Sequence, residues 1–325
     1  MSPRSRTFLV VAVMALAVGS AVAGITAVTG SDPAGSAAPK PKPTARDGNP
    51  PLSLDLGVRV DAEALDLREG LRLYEADNRE RARARFARHD SLEARVGEAF
   101  SGWPDGTIER LTQLSGLHPK SAAVQLNLGI ARYWAGEAGA QEAWQAAVAL
   151  EPDTAYAVTA GSLLHPDFAR NLPLFVPTVD VSPAVRRLDP PGQFSALERR
   201  ARTGSLADRL LYGVALQRLG KQLSAERVYA AAARLHPSDP EARVAAAVGL
   251  FDKGRPVSAF SRLGPLTRTF PHAATVRFHL GLLLLWSGQL KEARRQLRLV
   301  RTVEPGSRLV GVADRYLDQL RAAGS

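Results

Sequence analysis

Small and apolar residues recur at a fixed interval in the C-terminal third of the chain. Three residue types keep a period of thirty-four residues over three copies: Gly220, Gly254 and Gly288; Ala225, Ala259 and Ala293; Pro237, Pro271 and Pro305. Bulky apolar residues within each copy are spaced as on one face of an α-helix. The pattern predicts two helices per copy, with a turn at a left-handed glycine and a stop at the proline.

The residue types also indicate how the two helices of a copy pack together. An apolar residue precedes a small one in each first helix, at Tyr212-Gly213, Ala246-Ala247 and Leu280-Gly281. A missing or minimal side chain at that position lets the second helix approach closely. A single hairpin of this kind cannot cover its own apolar face, so consecutive hairpins are expected to stack.

This pattern resembles the tetratricopeptide repeat (TPR), a helix-turn-helix unit of thirty-four residues. A fourth copy upstream has one residue fewer in its turn, with the signature Leu128-Gly129, Gly136, Ala140, Trp144, Ala147 and Pro152. Poorer copies lie around Gly102 to Pro119 and Gly70 to Phe86. Two features depart from the family: Ala247 replaces a glycine, and no copy begins with tryptophan. The resemblance implies an all-α, TPR-like α-solenoid, a right-handed superhelix of about five or six hairpins.

The periodic and aperiodic stretches divide the chain into segments. TPR-like repeats are expected over residues 60–152, and three better-defined repeats over 205–306. Between them, residues 153–204 form an interrupted repeat, whose insertion at 165–191 contains too many prolines for a continuous helix. The last segment, 307–325, has apolar residues on one helical face and is expected to form a capping helix.

The first thirty residues predict a membrane anchor. Arg4 and Arg6 precede an uncharged, mostly apolar run from Thr7 to Gly30 that is just long enough to cross a bilayer as a helix. The positive-inside rule then places the C-terminal domain outside the cytoplasm, as in a single-pass bacterial envelope protein. Cleavage of a signal peptide after Ala23 is the alternative, and would release a secreted domain. Residues 31–55 are rich in Pro and Ala, which favours a disordered linker.

The resemblance implies a concave groove lined by the first helix of each repeat. Positions spaced i, i+4, i+7 and i+8 on those helices are strongly apolar. We expect the following residues to line the groove: Leu126, Ile130, Tyr133, Trp134, Leu210, Val214, Val248, Phe251, Phe278, Leu282, Leu285 and Trp286. The same spacing adds Gln217, Arg218, Val244 and Asp252.

An apolar face of this size must be covered, and two covers fit the sequence equally well. In the first, a protein or peptide partner lies in the groove, and the chain is a non-enzymatic interaction scaffold of the cell envelope. In the second, the insertion or the capping helix already fills the groove. A further possibility is an accessory subunit of an envelope enzyme or secretion complex, which contacts its partners through the 165–191 insertion.

Charge and composition narrow the partner class. The net charge of +10 and the pI of about 10.3 are compatible with nucleic-acid binding, yet the basic residues are spread among acidic ones without interleaved aromatic residues. We therefore expect no nucleic-acid partner. The chain has no cysteine, which excludes disulfides and thiolate metal sites in this sequence. The sequence gives no indication of the oligomeric state.

The sequence contains no pattern typical of an active site. Phosphate-binding glycine loops, a nucleophile elbow and a zinc-protease helix are all missing from it. His118, His165 and His236 each directly precede a proline, which favours a role in turns. His272 and His279 could share a helix face but lack a third ligand at suitable spacing. We expect no catalytic residue, no cofactor and no metal site, and hence no enzyme.

The N-terminus of the mature protein tests the predicted anchor. We expect the isolated protein to retain the segment from Thr7 to Gly30, because the apolar run continues through Ile25 and Val28 beyond the cleavage motif. Mass spectrometry of the N-terminal peptide from membrane fractions measures this directly. A mature chain that starts at Gly24 would contradict the anchor and indicate a secreted domain.

Overall fold

The structure is a computed structural model that describes residues 44–323. In this range all regular elements are helical, and there is no β-strand. The helices are α1 Ala62–Glu75, α2 Arg79–Phe86, α3 Leu92–Ser101, α4 Thr107–Leu117, α5 Ala122–Ala135, α6 Ala140–Leu150, α7 Ala155–Leu164, α8 Pro183–Arg186, α9 Pro190–Thr203, α10 Leu206–Arg218, α11 Gln222–Leu235, α12 Pro240–Gly249, α13 Val257–Leu263, α14 Leu266–Thr269, α15 Ala274–Trp286, α16 Leu290–Val303 and α17 Leu309–Ala322.

Consecutive helices pack as hairpins, and each hairpin packs on the next. The pairs α1/α2, α3/α4, α5/α6, α10/α11, α12/α13 and α15/α16 are in contact. The second helix of a pair also contacts the following first helix, as α2 does with α3, α4 with α5 and α11 with α12. The described residues therefore form an α-solenoid, in which each hairpin covers the apolar face of its neighbour.

A glycine in the first helix faces a large side chain of the second helix in hairpin after hairpin. A Cβ atom on Gly213 would lie 2.2 Å from the ring of Tyr229, and one on Gly129 would lie 2.5 Å from that of Trp144. A Cβ on Gly281 would lie 2.9 Å from Leu297. This confirms the close approach predicted from the small residues of the repeat.

Carboxylates tie the end of a hairpin back to its start. Glu151, which follows α6, accepts a hydrogen bond of 2.6 Å from the backbone N–H of Ala122 in the first turn of α5. Glu304 follows α16 and accepts one of 3.0 Å from Ala274 in α15. Both carboxylates satisfy an N–H that has no partner within its helix, next to the positive end of the helix dipole.

One of the three periodic glycines does not adopt its predicted conformation. Gly220 and Gly288 have φ angles of +68° and +72°, as expected for a left-handed turn, but Gly254 is outside that region. Helix α12 ends early, at Gly249, and a longer turn connects it to α13. The second helix of this repeat is also broken into α13 and α14 around Pro265, which lacks the N–H needed to continue a helix.

The interrupted repeat separates two apolar cores. Helix α7 packs against α5 and α6, whereas α9 packs against α10, so the two helices flanking the insertion belong to different stacks. Asp153, just before α7, joins the stacks by accepting hydrogen bonds from the backbone N–H and the hydroxyl of Ser224, at 3.1 and 2.5 Å. Helix α17 covers α15 and α16 through Leu309, Val312, Tyr316 and Leu320.

The N-terminal predictions fall partly outside the described residues. The anchor at 1–30 lies wholly outside them. Within residues 44–323, none of the helices combines the length and apolar character that a membrane crossing requires. The disordered linker at 31–55 needs correction in its described part, because residues 44–55, although without regular secondary structure, bond to α5 and α7, and Leu52 is buried.

Replacing Gly213 by alanine tests the close helix approach. The new methyl group would collide with the Tyr229 ring, so we expect a loss of about 1–3 kcal/mol in the free energy of unfolding. Gly161→Ala is the matched control, because nothing lies within 4 Å of its Cβ position in α7. The control should stabilise the protein by up to about 1 kcal/mol through helix propensity. Urea unfolding followed by circular dichroism measures both; equal effects would contradict the packing described.

Candidate functional site

Two segments without regular secondary structure lie along the first helices of the hairpins. The N-terminal segment, residues 46–56, bonds to side chains of α1, α5 and α7. The insertion segment, residues 168–180, bonds to side chains of α10, α12 and α15. Both segments lie on the face of the first helices that the sequence predicts to be a groove. The face is therefore already occupied by the chain itself.

Burial of the predicted groove residues bears on which of the two predicted covers is present. Tyr133 and Trp134 are partly buried, and the remaining ten are buried: Leu126, Ile130, Leu210, Val214, Val248, Phe251, Phe278, Leu282, Leu285 and Trp286. For the second half of the solenoid, the alternative in which the insertion fills the groove describes the structure. The cover over the first half, by the N-terminal segment, is not among the predicted alternatives. A role of these residues in holding a partner stays a prediction.

The insertion segment runs antiparallel to α15. At the C-terminal end of this helix, the indole N–H of Trp286 donates to the carbonyl of Arg170, and the N–H of Ala169 donates to the Trp286 carbonyl, at 3.2 and 3.1 Å. Val176, seven residues after Ala169, donates its N–H to His279, which lies seven residues before Trp286 in the helix. Beyond α15, Asp180 forms an exposed ion pair with Arg308 at 2.7 Å.

Three side chains of the groove accept backbone hydrogen bonds from the insertion segment. The N–H of Phe175 donates to Gln217 at 3.0 Å, that of Val176 to Nε2 of His279 at 2.9 Å, and that of Thr178 to Glu241 at 2.5 Å. The three acceptors lie on α10, α15 and α12, one from each repeat. The groove therefore holds the insertion segment partly through its main-chain N–H groups.

Phe175 is the side chain by which the insertion segment is anchored. Its ring is buried, stacks on the His279 imidazole at a centroid distance of 4.9 Å, and meets the Tyr229 ring edge to face at 5.6 Å. The Tyr229 hydroxyl donates to the same Gln217 oxygen that accepts the Phe175 N–H, at 3.0 Å. Tyr229 and Gln217 thus hold both the ring and the main chain of Phe175. The Tyr229 hydroxyl, the Gln217 oxygen and the Phe175 N–H are all hydrogen-bonded.

His279 is held in one neutral form by its hydrogen bonds. Nδ1 lies 2.7 Å from the carbonyl oxygen of Thr275, which can only accept, so Nδ1 carries the proton. Nε2 is then free of a proton and accepts the N–H of Val176. Burial among apolar groups lowers the pKa of His279 to about 4, and the bond to Thr275 only partly opposes this.

Two further ionisable groups sit at the edges of the groove. Burial raises the pKa of Glu241, although the N–H of Thr178 stabilises its carboxylate. Lys253, in the turn after α12, is 5% exposed and donates from Nζ to the Ser162 hydroxyl of α7 at 2.9 Å. Burial lowers the pKa of Lys253 to about 8. The lysine helps to connect the two stacks next to the start of the insertion segment.

The N-terminal segment is held in a similar way. Asn127 of α5 accepts the N–H of Ser53 and donates to the Ser53 carbonyl, at 3.0 and 2.8 Å. The hydroxyl of Tyr74 donates to the carbonyl of Pro50, and the N–H of Asp55 donates to Tyr156. At the exposed end of the segment, the Arg46 guanidinium lies 4.1 Å from the centroid of the Tyr133 ring, a cation–π contact.

The polar residues that hold the two segments were mostly missed by sequence reasoning. Asn127, Glu241 and Tyr156 are not among the predicted groove residues, and Gln217 is predicted only as a lining position. Asn127 carries a readable signal, because an amide in the middle of the apolar helix α5 requires a partner. Glu241 has no such signal, since an acidic residue in the first turn of α12 also fits a helix start.

Three histidines outside the groove lie at helix ends, as their positions before prolines predict. His118, His165 and His236 cap the C-terminal ends of α4, α7 and α11 with φ angles of −127°, −126° and −130°. His272 is exposed and His279 is used within the groove. Between residues 44 and 323 there is no group of three or more His, Cys, Asp or Glu side chains able to hold a metal ion.

Comparisons with known proteins place little constraint on identity. No family model matches the sequence, and no curated protein matches it. A crystal structure of the APC/C hetero-tetramer Cut9–Hcn1 is similar at 15% sequence identity, over 81% of this chain and 56% of that chain, with a TM-score of 0.27. The chain thus corresponds to little more than half of the solved chain. At that TM-score the likeness adds nothing to the α-solenoid, which follows from the helix pairing above.

The buried His279 predicts a pH dependence of stability. The unfolded chain binds a proton to this residue below its ordinary pKa of 6.5, whereas the folded chain does so only below about 4. Stability should therefore fall as the pH drops from 6.5 to 4, by about 3 kcal/mol in total from this residue. Urea unfolding of the wild type and His279→Gln across this range isolates the effect as the difference between the two curves. Parallel curves would contradict the buried neutral imidazole.

Proposed function

We propose that the chain is a non-enzymatic interaction scaffold, in which the groove of α10, α12 and α15 receives an extended segment of a partner protein in place of the insertion segment. The observation that supports this best is the binding mode of the insertion segment itself. Three main-chain N–H groups are received by Gln217, His279 and Glu241, and one aromatic ring is buried. A segment from another chain can offer the same groups.

The insertion segment also indicates which partner peptides fit. An aromatic residue at the place of Phe175 fills the space between His279 and Tyr229. Pro173 and Pro177 on either side have a fixed φ and favour an extended chain before binding, which reduces the entropy lost on association. The preferred partner segment is therefore extended and apolar, with an aromatic residue between two prolines.

The outer surface of the insertion is less suited than the groove to bind a partner directly. Its large apolar side chain Phe175 points into the groove, and its exposed residues include Asp167, Arg170, Arg187 and Leu188. The accessory-subunit function through residues 165–191 would have to use this mainly polar surface. For that reason we favour exchange in the groove over contact through the outside of the insertion.

We place the scaffold at the cell envelope of a bacterium. This location rests on the sequence of residues 1–30, with the basic residues before the apolar run and the domain on the far side of the membrane. A domain secreted after cleavage at Ala23 would carry the same groove. The groove proposal does not depend on which of the two is correct.

A peptide added in trans tests the groove. The probe is a fluorescent synthetic peptide with the sequence of residues 170–181, titrated with the full chain and followed by anisotropy. Phe175→Ala removes the anchoring ring of the resident segment, so this variant should bind the peptide at least about tenfold more tightly than the wild type. Phe194→Ala is the matched control, because Phe194 packs on Tyr212 outside the groove.

The peptide also needs its own control. A probe with alanine in place of the residue corresponding to Phe175 should bind neither the wild type nor the variant. Equal binding of both probes to the Phe175→Ala protein, or no binding of either one, would rule out the exchange.

A further inference from the structure

The net positive charge of the chain is carried by the C-terminal part of the solenoid. Residues 206–323 contain 19 Lys and Arg against 9 Asp and Glu, a net charge of +10. Residues 1–205 contain 23 of each kind and are neutral in sum. A general preference for arginine in this sequence would act on both halves, so it does not explain the asymmetry. Charge that differs between halves points to a partner surface of opposite charge.

One position of the hairpin is basic in two of the three C-terminal hairpins and acidic in two N-terminal ones. Arg227 of α11 and Arg295 of α16 lie ten residues before the proline that ends their hairpins. The residues ten before the corresponding prolines in α4 and α6 are Glu109 and Glu142. All four are exposed. The second helix of each hairpin lies on the side away from the groove, so exposed residues at this position are on the outer face of the solenoid.

Further arginines extend this position into an array. Arg234 lies one helical repeat of seven residues beyond Arg227 on the same face of α11, roughly 10 Å away. Arg268 occupies the position of Arg234 in the next hairpin. Arg262 and Arg298 are exposed on α13 and α16. We refer to Arg227, Arg234, Arg262, Arg268, Arg295 and Arg298 as the basic face. Within residues 44–323, only Arg295 of these six takes part in an ion pair, with Glu292.

Two of the seven exposed large apolar side chains of the described residues lie on helices of the basic face. Val257, at the start of α13, is 69% exposed, and Leu235, next to Arg234, is 60% exposed. By contrast, no large aromatic side chain is exposed in the part of the chain that the structure covers. Base stacking would need aromatic side chains, whereas a bilayer interface takes up aliphatic ones beside cations. The composition of the face thus favours lipid over nucleic acid.

We propose that the basic face binds the surface of a bilayer that contains anionic phospholipids. Guanidinium groups bind phosphate in a bidentate manner, and several of them exposed on α11, α13, α14 and α16 can engage several headgroups at once. Val257 and Leu235 then reach the boundary of the acyl chains. The predicted anchor also keeps the domain close to the membrane, because the thirteen residues between Gly30 and Thr44 span at most about 50 Å. The groove of the first helices, with the insertion segment in it, stays on the opposite side, away from the bilayer.

Energy transfer from a site on the basic face to the membrane tests this proposal. The chain has no cysteine, so Ser261→Cys gives a single labelling site among the arginines. The labelled full chain is mixed with vesicles of phosphatidylcholine, or of phosphatidylcholine with about 30% phosphatidylglycerol, that carry an acceptor on the headgroups. We expect at least a roughly twofold higher transfer with the anionic vesicles, lost at about 0.5 M salt. Gln145→Cys, exposed on α6, should show no such difference.

Charge reversal identifies the residues responsible. Arg227→Glu with Arg262→Glu and Arg295→Glu should abolish the difference between the two lipids. The control variant, Arg81→Glu with Arg95→Glu and Arg199→Glu, changes the net charge by the same amount at exposed residues outside 206–323. This variant should preserve the difference between the two lipids. If circular dichroism shows that the first triple variant is unfolded, the three glutamine substitutions replace it. Equal transfer from both label sites, or no effect of anionic lipid, would overturn the proposal. Loss of the difference between the two lipids on addition of a stoichiometric DNA duplex would overturn it too, in favour of nucleic acid.

Discussion

The structure depends on the need to cover the apolar inner face of the stacked first helices. Each hairpin leaves such a face after its glycine has brought the second helix into contact, as at Gly213 and Tyr229. Stacking covers the sides of the hairpins but not the common concave face. In this chain, the N-terminal segment and the insertion segment cover that face. Phe175 of the insertion segment, buried between His279 and Tyr229, belongs to the apolar core itself.

Polar groups make this cover specific. An extended segment inside an apolar groove would leave its main-chain N–H groups without partners, at a cost of about 1–3 kcal/mol each. Gln217, His279 and Glu241 accept three of them for the insertion segment, and Asn127 serves the N-terminal segment on both sides of Ser53. The use of side-chain acceptors on separate helices fixes the position of each segment along the groove.

The sequence predicts the hairpins well because their determinants are local and periodic. The glycines opposite Trp144, Tyr229 and Leu297 could be identified by spacing alone. The turn at Gly254 could not, because Pro256 and Pro265 alter the neighbouring helices and no glycine spacing reports it. The N-terminal segment has a composition typical of disorder, and contacts with residues far away along the chain, among them Asn127 and Tyr156, order it. Such long-range contacts leave no periodic trace in one sequence.

Amide hydrogen exchange of the full chain at neutral pH measures the central interaction most directly. If the insertion segment lies in the groove as described, the amides of Phe175 and Val176 exchange slowly, at rates like those of the α10 and α15 amides around Gln217 and His279. Exchange of these two amides at the rate of an unstructured peptide, while α10 and α15 stay protected, would contradict it. The groove would then be open, and its apolar face would need another cover.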